Sequence, residues 1–396
     1  MNLLFCNYEY PPLGGGGGVV MAALARELAR RHSVTVLTSR ALRLPEESLE
    51  EGVRVLRVPV FFRRQLAVAN AASMLAYLPM GALRALSLKS VRFDLINTHF
   101  AMPTGPLGQF LAARYKVPNV LSVHGGDLYD PSKRSSPHRH WWLRAWVRRL
   151  LIRADAVVGQ SRDTLARVQQ IYGVQRHTEL IPLGIARPPA VRGTREQFGL
   201  PAEAFVMVTV GRLVARKATA QLLDVLQQCA RPAAHLLIVG DGPELESIRQ
   251  EAELRGMAAR VHLIGQVDDA RKFAALSVAD VFVSTSQHEG FGLVYLEAMA
   301  YGLPVICYDR GGQTDFLRSG ETGYVVPLND LPTFTRAVID LHDDAVSRRQ
   351  CGDNNRRYLE EYLIERCAQR YETVFELALR SHRGGILQRA ASSGSS

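Results

Sequence analysis

The sequence predicts an α/β fold made of two Rossmann-like domains, each an open parallel sheet flanked by helices, with the two sheets facing across a cleft. Three observations predict it. From Leu3 to Ile181, short apolar runs of strand length alternate with segments of helical periodicity. That alternation is interrupted by Pro182, Gly184, Pro188, Pro189 and Pro201, a stiff and turn-rich connector. It then starts again at Phe205 and runs through a second set of strands and helices. At 396 residues the chain can bury two full cores. The domains are placed at 1–182 and 183–380, and residues 381–396, ending in ASSGSS, are expected to be a disordered tail.

In the first half, Leu3–Asn7 reads as a strand followed by Pro11, Pro12 and five glycines, Gly14–Gly18. A helix then begins near Val19, with Val20, Ala23, Leu24 and Leu28 at helical spacing. Glycines between a strand and a helix let backbone amides approach a phosphate or sugar closely. The pattern is not G-x-G-x-x-G with an acid about 20 residues on, so a dinucleotide site is not expected. Strands continue at Val34–Thr38, Val53–Val58, Leu95–Thr98, Val120–Val123, Ala156–Gly159 and Glu179–Ile181. Strand Val120–Val123 delivers His124 to a sheet edge, where Gly125, Gly126 and Asp127 follow. A lone histidine after a strand is more often structural than functional.

Charge is unevenly placed. The chain carries +10, but residues 1–182 hold 24 Lys+Arg against 12 Asp+Glu, or +12, and the remainder holds 24 against 26, or −2. Such a field attracts anionic membranes, nucleic acid or phosphorylated substrates. His138–Ala154 reads as a basic, tryptophan-rich helix, with no acid between Asp130 and Asp155. It either packs its apolar side and solvates its arginines, or lies against an anionic leaflet, where each basic residue is worth about 1 kcal/mol. The apolar and basic segment Phe61–Leu88 is a candidate second contact; its uncharged run from Leu66 to Leu83 is broken by Asn70, Ser73, Pro79 and Gly81. A spanning helix needs about 20 mostly apolar residues, so this run is expected to be buried or interfacial. Five scattered cysteines without a C-x-x-C pair and an N-terminus that opens on a strand argue for a cytoplasmic setting without disulfides.

The second half reads as strand Phe205–Val210, helix Arg216–Ala230, strand Leu236–Val239, helix Pro243–Gly256, strand Val261–Ile264 and helix Ala270–Ser277. From Asp330 to about Arg380 the chain reads as helical. Between them lies the most informative stretch, SQHEGFGLVYLEAMAYGLP at Ser286–Pro304, with strands before it (Val281–Val283) and after it (Val305–Cys307). A loop at Gln287–Gly290 turns into a helix near Gly292, and Gly302 and Pro304 stop it. The free amides of Phe291, Gly292 and Leu293 at that helix start favour an anion such as a diphosphate. Two carboxylates flank the site, Glu289 on the loop and Glu297 in the helix. Taken one at a time, they read as solvated surface groups.

Together, Glu289 and Glu297 with Gly290-Phe291-Gly292 between them resemble the E-x7-E signature of retaining GT-B glycosyltransferases, in particular glycosyltransferase family 4. Three further motifs resemble the same family: the glycine run, by its spacing to Leu24-Ala25 at Gly15-Gly16; His124-Gly125; and Gly211-Arg212-Leu213 with Arg216-Lys217. Val239–Glu244 and Ile264–Val267 also fit. The resemblance covers nearly the whole chain and implies a GT-B fold whose terminal helices cross back onto the first domain.

It also implies roles. Glu289 and His124 are the catalytic candidates: Glu289 at the sugar hydroxyls near C3, His124 near the 6-hydroxyl and the reacting centre. Arg212, Lys217, the amides at Phe291, Gly292 and Leu293, and Gly15 and Gly16 are expected around the donor diphosphate. Glu297 is expected on the ribose, Gln266 and Val267 near the nucleobase, and Asp127 at an acceptor or sugar contact. Ala218 stands where the family has glycine, which bears on the geometry of that loop and not on its charge; Leu183 and Ala186 stand where it has asparagine and aspartate, so no role is carried to them.

The function these expectations compose is transfer of a hexose-type sugar, with retention, from a UDP- or GDP-sugar to a lipid-linked or membrane-associated acceptor. No residue reads as an enzymic nucleophile, and the chain has no D-x-D, so metal-independent chemistry without a cofactor is expected. Localisation would be cytoplasmic, with peripheral attachment to the inner face of the membrane. A sugar-nucleotide epimerase shares the architecture and would be told apart by a product formed without an acceptor. A nucleic-acid-binding protein is disfavoured, because no recognition module is found.

Overall fold

The computed structural model describes residues 1–41, 44–60, 71–88, 91–130 and 135–393, with the side chains of residues 71 and 385–393 left aside. It divides into two compact units, Met1–Ala186 with Ile364–Ser396, and Arg187–Leu363. Part of the Phe61–Leu88 membrane contact expected from the sequence (residues 61–70), together with Lys133 and Arg134, lies outside the described residues.

The first unit is built on an eight-stranded sheet: β1 (Asn2–Cys6), β2 (Ser33–Arg40), β3 (Glu47–Glu50), β4 (Val53–Pro59), β5 (Leu95–His99), β6 (Asn119–Val123), β7 (Ala156–Gly159) and β8 (Thr178–Leu180). Its helices are α1 (Gly16–Ala29), α2 (Ala71–Leu86), α3 (Gly105–Tyr115), α4 (Trp141–Arg153) and α5 (Arg162–Tyr172). The strand order is β3-β4-β2-β1-β5-β6-β7-β8, parallel except for the antiparallel edge strand β3. The central strands read as continuous apolar runs because helices cover both faces. Leu3, Phe5, Val36 and Val55 go to one core and Leu4, Cys6, Leu37 and Leu56 to another.

The second unit has a six-stranded, all-parallel sheet: β9 (Phe205–Val210), β10 (Ala234–Val239), β11 (Val261–Leu263), β12 (Val281–Ser284), β13 (Val305–Tyr308) and β14 (Gly323–Val326), in the order β11-β10-β9-β12-β13-β14. Helices α6 (Gln221–Gln228), α7 (Leu245–Leu254), α8 (Asp269–Ser277), α9 (Leu293–Ala300), α10 (Leu331–Asp343) and α11 (Ala345–Leu359) accompany it.

The last helix, α12 (Ile364–Ser393), belongs to the first unit. Ile364, Cys367, Ala368, Tyr371, Phe375 and Ala378 recur at helical spacing and are buried with Leu3, Ala25 and Leu28. Tyr371 donates to Ser122 Oγ at 3.0 Å, and Glu372 accepts from Arg31 and lies 2.8 Å from His32 Nε2.

Several boundaries differ from the sequence reading. The units divide at Ala186/Arg187 instead of 182/183, and the second unit ends at Leu363 instead of 380. The tail expected at 381–396 is helical to Ser393, since its Ala, Leu, Gln and Arg residues extend a helix already nucleated by packing. The helix expected at Arg216–Ala230 begins only at Gln221, because Ala215–Lys217 forms a 3-10 turn that ends on left-handed Ala218. The helical stretch from Asp330 is three helices, interrupted at Asp344, which caps α11 through the amides of Val346 and Ser347, and at 360–363.

Both sheets reverse their order at one place, between β1 and β5 in the first and between β9 and β12 in the second. Loops leaving the carboxyl ends of such strands diverge to opposite sides and open a crevice where ligands bind in α/β sheets. His124 and the glycine run follow strands at or beside the first reversal. Arg212, Lys217 and Glu289 follow strands at the second.

Candidate active site

In the second unit, β9 runs out into Gly211, Arg212 and Leu213, whose backbone is tied to β10 and its exit (Gly211 N to Val239 O, 2.9 Å; Leu213 N to Asp241 O, 2.9 Å). The chain then makes the 3-10 turn Ala215–Lys217. The loop leaving β12 is laced onto this turn: Gln287 N donates to Arg216 O at 2.9 Å, and Thr285 Oγ1 to Ala218 O at 2.9 Å. Ala218 has φ +45°, so the position that suits glycine does so by conformation.

This lacing brings Lys217 onto Glu289. The Lys217 ammonium donates to Glu289 Oε1, and Arg216 stands 3.6 Å from Oε2 while donating to the His288 carbonyl. Glu289 is buried. Burial pushes its carboxyl up, but the charges of Lys217 and Arg216 and the Lys217 hydrogen bond outweigh that and hold it below the usual carboxylate range. The backbone of Glu289 forms a bridge with Gly311, where a Cβ would stand 1.9 Å from the Glu289 carbonyl oxygen. Only glycine permits that approach.

Arg212 and Lys217 line one small pocket with Gly211, Thr209, Thr219 and Ser284. The Arg212 guanidinium is exposed and has no ion-pair partner among the described residues. Three residues after Glu289, Gly292 (φ +93°) caps α9. Among the described residues nothing accepts from the amides of Phe291, Gly292 and Leu293, as the start of a helix requires. Phe291 is buried against Phe316, with ring centroids 5.1 Å apart, which fixes where these amides point.

Glu297, on α9, pairs with Lys272 of α8 at 2.8 Å, and Lys272 also reaches Asp269 at 3.0 Å. Burial pushes the Glu297 carboxyl up, and Lys272 offsets part of the effect. Exposed Gln266 and half-buried Val267 lie in the loop between β11 and α8, so a single loop and helix link the expected nucleobase region to the Glu297 carboxylate. Lys272 and the Arg216 contact on Glu289 were not foreseen as site features. Arg216 was at least visible as the neighbour of Lys217 in the motif. No sequence signal marks Lys272.

The first unit carries a different constellation. His124 follows β6 and is buried; its Nε2 lies 3.0 Å from Nδ1 of His99, at the end of β5. His99 Nε2 faces Asn97 Oδ1 at 2.8 Å, and His124 Nδ1 faces Gln160 Oε1 at 3.2 Å. Both amides are oriented by backbone carbonyls, since Asn97 Nδ2 donates to Val120 O and Gln160 Nε2 to His124 O. Two neutral imidazoles therefore supply two protons to three contacts that end on amide oxygens. Protons on His99 Nε2 and His124 Nε2 satisfy the two shorter contacts and leave the longest, at Gln160, without one. Burial pushes His124 down to about 4, although the Gln160 oxygen facing Nδ1 favours the protonated ring, and lowers His99 well below its ordinary value, with His124 adding to the effect.

Asp127 is buried and its carboxylate ties two loops together: Oδ2 accepts from Ala101 N at 2.6 Å and Oδ1 from His124 N at 2.9 Å. Phe100 (φ +70°) lies over His124, with centroids 4.3 Å apart, and a Cβ at Gly17 would stand 2.4 Å from its ring. One glycine of the run is thus required by packing. Gly15 caps α1, which begins at Gly16, and the Gly15 amide donates to Glu9 Oε2 at 3.1 Å. A phosphate at Gly15 would have to compete with that carboxylate.

Comparison with known proteins identifies the family of the chain. Residues 192–358 match the family model for glycosyl transferases group 1, and residues 14–187 the model for glycosyltransferase family 4. The chain is 30% identical over 365 residues to the GDP-mannose-dependent alpha-(1-6)-phosphatidylinositol monomannoside mannosyltransferase of Mycolicibacterium smegmatis, covering 86% of this chain and 89% of that protein. It is 26% identical over 398 residues to the N-acetyl-alpha-D-glucosaminyl L-malate synthase of Bacillus anthracis, covering 95% and 97%. Its fold is similar to that of sucrose-phosphate synthase from Thermosynechococcus elongatus, with TM-score 0.81 and 24% identity over 96% of this chain and 100% of that one. Two Rossmann-like units and relatives of this kind make the chain a glycosyltransferase of the GT-B fold, and it belongs to glycosyltransferase family 4 (group 1).

Proposed function

We propose that the chain transfers a hexose-type sugar, with retention of anomeric configuration, from a UDP- or GDP-sugar to a lipid-linked or membrane-associated acceptor. The observation that carries this reading is the cation–carboxylate cluster of Lys217, Arg216 and Glu289 beside the unpartnered amides of α9. The relative that uses GDP-mannose supports a nucleotide-sugar donor, and its phosphatidylinositol mannoside acceptor supports a lipid one.

In this reading the bond between the anomeric carbon and the diphosphate oxygen breaks, its electron pair stays on the diphosphate, and negative charge grows there. Lys217, held on Glu289, and the amides of Phe291, Gly292 and Leu293, held by the packing of Phe291, stabilise that charge without reorganising, and exposed Arg212 adds its own charge. Glu289, kept ionised by its cations, accepts hydrogen bonds from sugar hydroxyls near C3. Glu297 takes the ribose hydroxyls, and the loop at Gln266 and Val267 the base. His124, neutral and with its Nε2 proton on His99, offers the Nδ1 lone pair to a sugar hydroxyl.

The acceptor oxygen attacks on the face the diphosphate leaves, and its proton passes to a leaving phosphate oxygen. No enzymic nucleophile is needed, and the absence of a D-x-D sequence favours a metal-independent reaction. Because Glu9 already occupies the Gly15 amide, the diphosphate is assigned to the second unit and not to the glycine run. We place the enzyme in the cytoplasm, peripheral to the membrane.

A thermal-shift screen against UDP- and GDP-sugars tests the donor, since a ligand that binds only the folded state raises its stability. One nucleotide class should raise the melting temperature. Silence from both classes would refute the reading.

A further inference from the structure

All three tryptophans of the chain, Trp141, Trp142 and Trp146, lie on α4, and all three are exposed. Burial of an indole is strongly favourable, so three exposed on one helix mark a surface that meets something apolar. The inward side of α4 is already satisfied: Val147, Leu150 and Leu151 are buried in the core. Outward, α4 and α3 enclose an open groove of about 400 Å³. Phe110 and Gln109 line it from α3, and Trp146, Leu150, Arg149 and Arg153 from α4. Phe110 is 46% exposed, so the groove has an aromatic wall on each side.

Arg149 and Arg153, one helical turn apart, are exposed and have no ion-pair partner among the described residues. No acid occurs in the sequence between Asp130 and Asp155. An apolar trough rimmed by two free guanidiniums is complementary to a molecule with an acyl chain and a phosphate. A second copy of this chain would bring the same positive rim and be repelled.

We propose that the α3–α4 groove seats one anionic phospholipid, its chain along Phe110 and Trp146 and its phosphate on Arg149 and Arg153. A guanidinium pair binds phosphate with directed, charge-assisted hydrogen bonds, which an adsorbing patch of scattered lysines does not offer. This deepens the membrane-associated reading above by naming the contact, and it separates that contact from the donor site in the other unit.

The test reads tryptophan emission, which in this chain reports on α4 alone. Dihexanoyl phosphatidylglycerol, kept monomeric, is titrated into the full chain beside dihexanoyl phosphatidylcholine and a single-stranded oligonucleotide. The expected result is a saturable blue shift with phosphatidylglycerol and at least tenfold weaker binding of phosphatidylcholine. The double variant Arg149→Gln, Arg153→Gln should weaken phosphatidylglycerol binding at least tenfold, with an unchanged circular dichroism spectrum and unchanged nucleotide thermal shifts. The Trp141→Ala, Trp142→Ala variant, in which Trp146 is the sole reporter, should keep the shift. Equal binding of the two lipids, an arginine variant that binds like the wild type, or displacement of the lipid by the oligonucleotide would each overturn the proposal. The donor reading survives any of these results, and the lipid seat survives a failed nucleotide screen.

Discussion

The constellations after β5 and β6 in the first unit and after β9 and β12 in the second follow equivalent reversals of strand order, yet they are built from opposite chemistry. At the first, the exchangeable groups around His124 are neutral: His99, Asn97 and Gln160, with the Asp127 carboxylate bonded to backbone amides. At the second, each carboxylate is matched by a cation, Glu289 by Lys217 and Arg216, and Glu297 by Lys272. A neutral buried network fixes direction, because each ring and amide is oriented by the neighbours it bonds. A charged, half-buried network keeps cations desolvated and ready, so that a charge developing on a ligand meets them without delay. In the proposed reading the neutral network serves hydroxyl recognition alone, whereas the charged one adds anion stabilisation to it.

The strongest way to break that assignment is to remove charge from the second unit. Replacing Glu289 with alanine should nearly abolish sugar transfer in a product assay while thermal unfolding stays cooperative. Lys217→Ala should lower kcat by about 10²–10³-fold, the usual effect of losing one preorganised donor to a developing anion. Wild-type turnover in either variant would remove the cluster from the chemistry.

In the first unit the corresponding lever is pH. His124 titrates at about 4 in the folded chain and near 6.5 in an unfolded one. Between those values the unfolded state binds a proton that the native state refuses, so stability is full above the unfolded value and falls as pH drops toward the folded one. The loss amounts to roughly 3 kcal/mol, and His99 adds to it in the same direction. Urea unfolding of the wild type and of His124→Gln at pH 7 and pH 4.5 should show the steeper loss in the wild type. Parallel losses would mean that His124 is not held neutral.

A smaller effect sharpens the division inside the second unit. Lys272→Ala leaves Glu297 without its cation and favours its protonated form. We expect KM for the nucleotide sugar to rise about tenfold, or ~1.4 kcal/mol, with kcat changed less. A change confined to kcat would move Glu297 from binding to chemistry. The smallest effect concerns Ala218, which sits at φ +45°. Ala218→Gly relieves a left-handed alanine and should stabilise the chain by up to about 1 kcal/mol; a loss of stability would show that the turn tolerates alanine without strain.

Much of the fold could be read from the chain alone because it is carried by local signals. The apolar runs at Ala156–Gly159 and Phe205–Val210 are strands over the same residues, and prolines and glycines mark the connector. Where local signals fade, the reading faded too. Glu47–Glu50 is a polar edge strand in which every second residue is exposed, and its ESLE sequence has no apolar run to betray it. The helix beyond Arg380 continues past a Gly-Gly pair that looks like a stop.

At the site, the motifs located Glu289, Lys217 and His124, but not their partners. Lys217 and Glu289 are 72 residues apart, and Lys272 and Glu297 are 25 apart. Their meeting depends on loop directions that only the folded sheet supplies. The glycine run shows the limit from the other side: its composition suggested phosphate, whereas Glu9 on the Gly15 amide and Phe100 against Gly17 account for two of its positions.

The central claim is that a nucleoside diphosphate is held in the second unit by Arg212, Lys217 and the start of α9. Calorimetric titration of UDP and of GDP into the wild type and into the Arg212→Ala, Lys217→Ala double variant addresses it directly. The account predicts that one of the two nucleotides binds the wild type at one site per chain and that the variant binds it at least about 100-fold more weakly, a loss of about 2.7 kcal/mol. Equal affinity in the two proteins would contradict it.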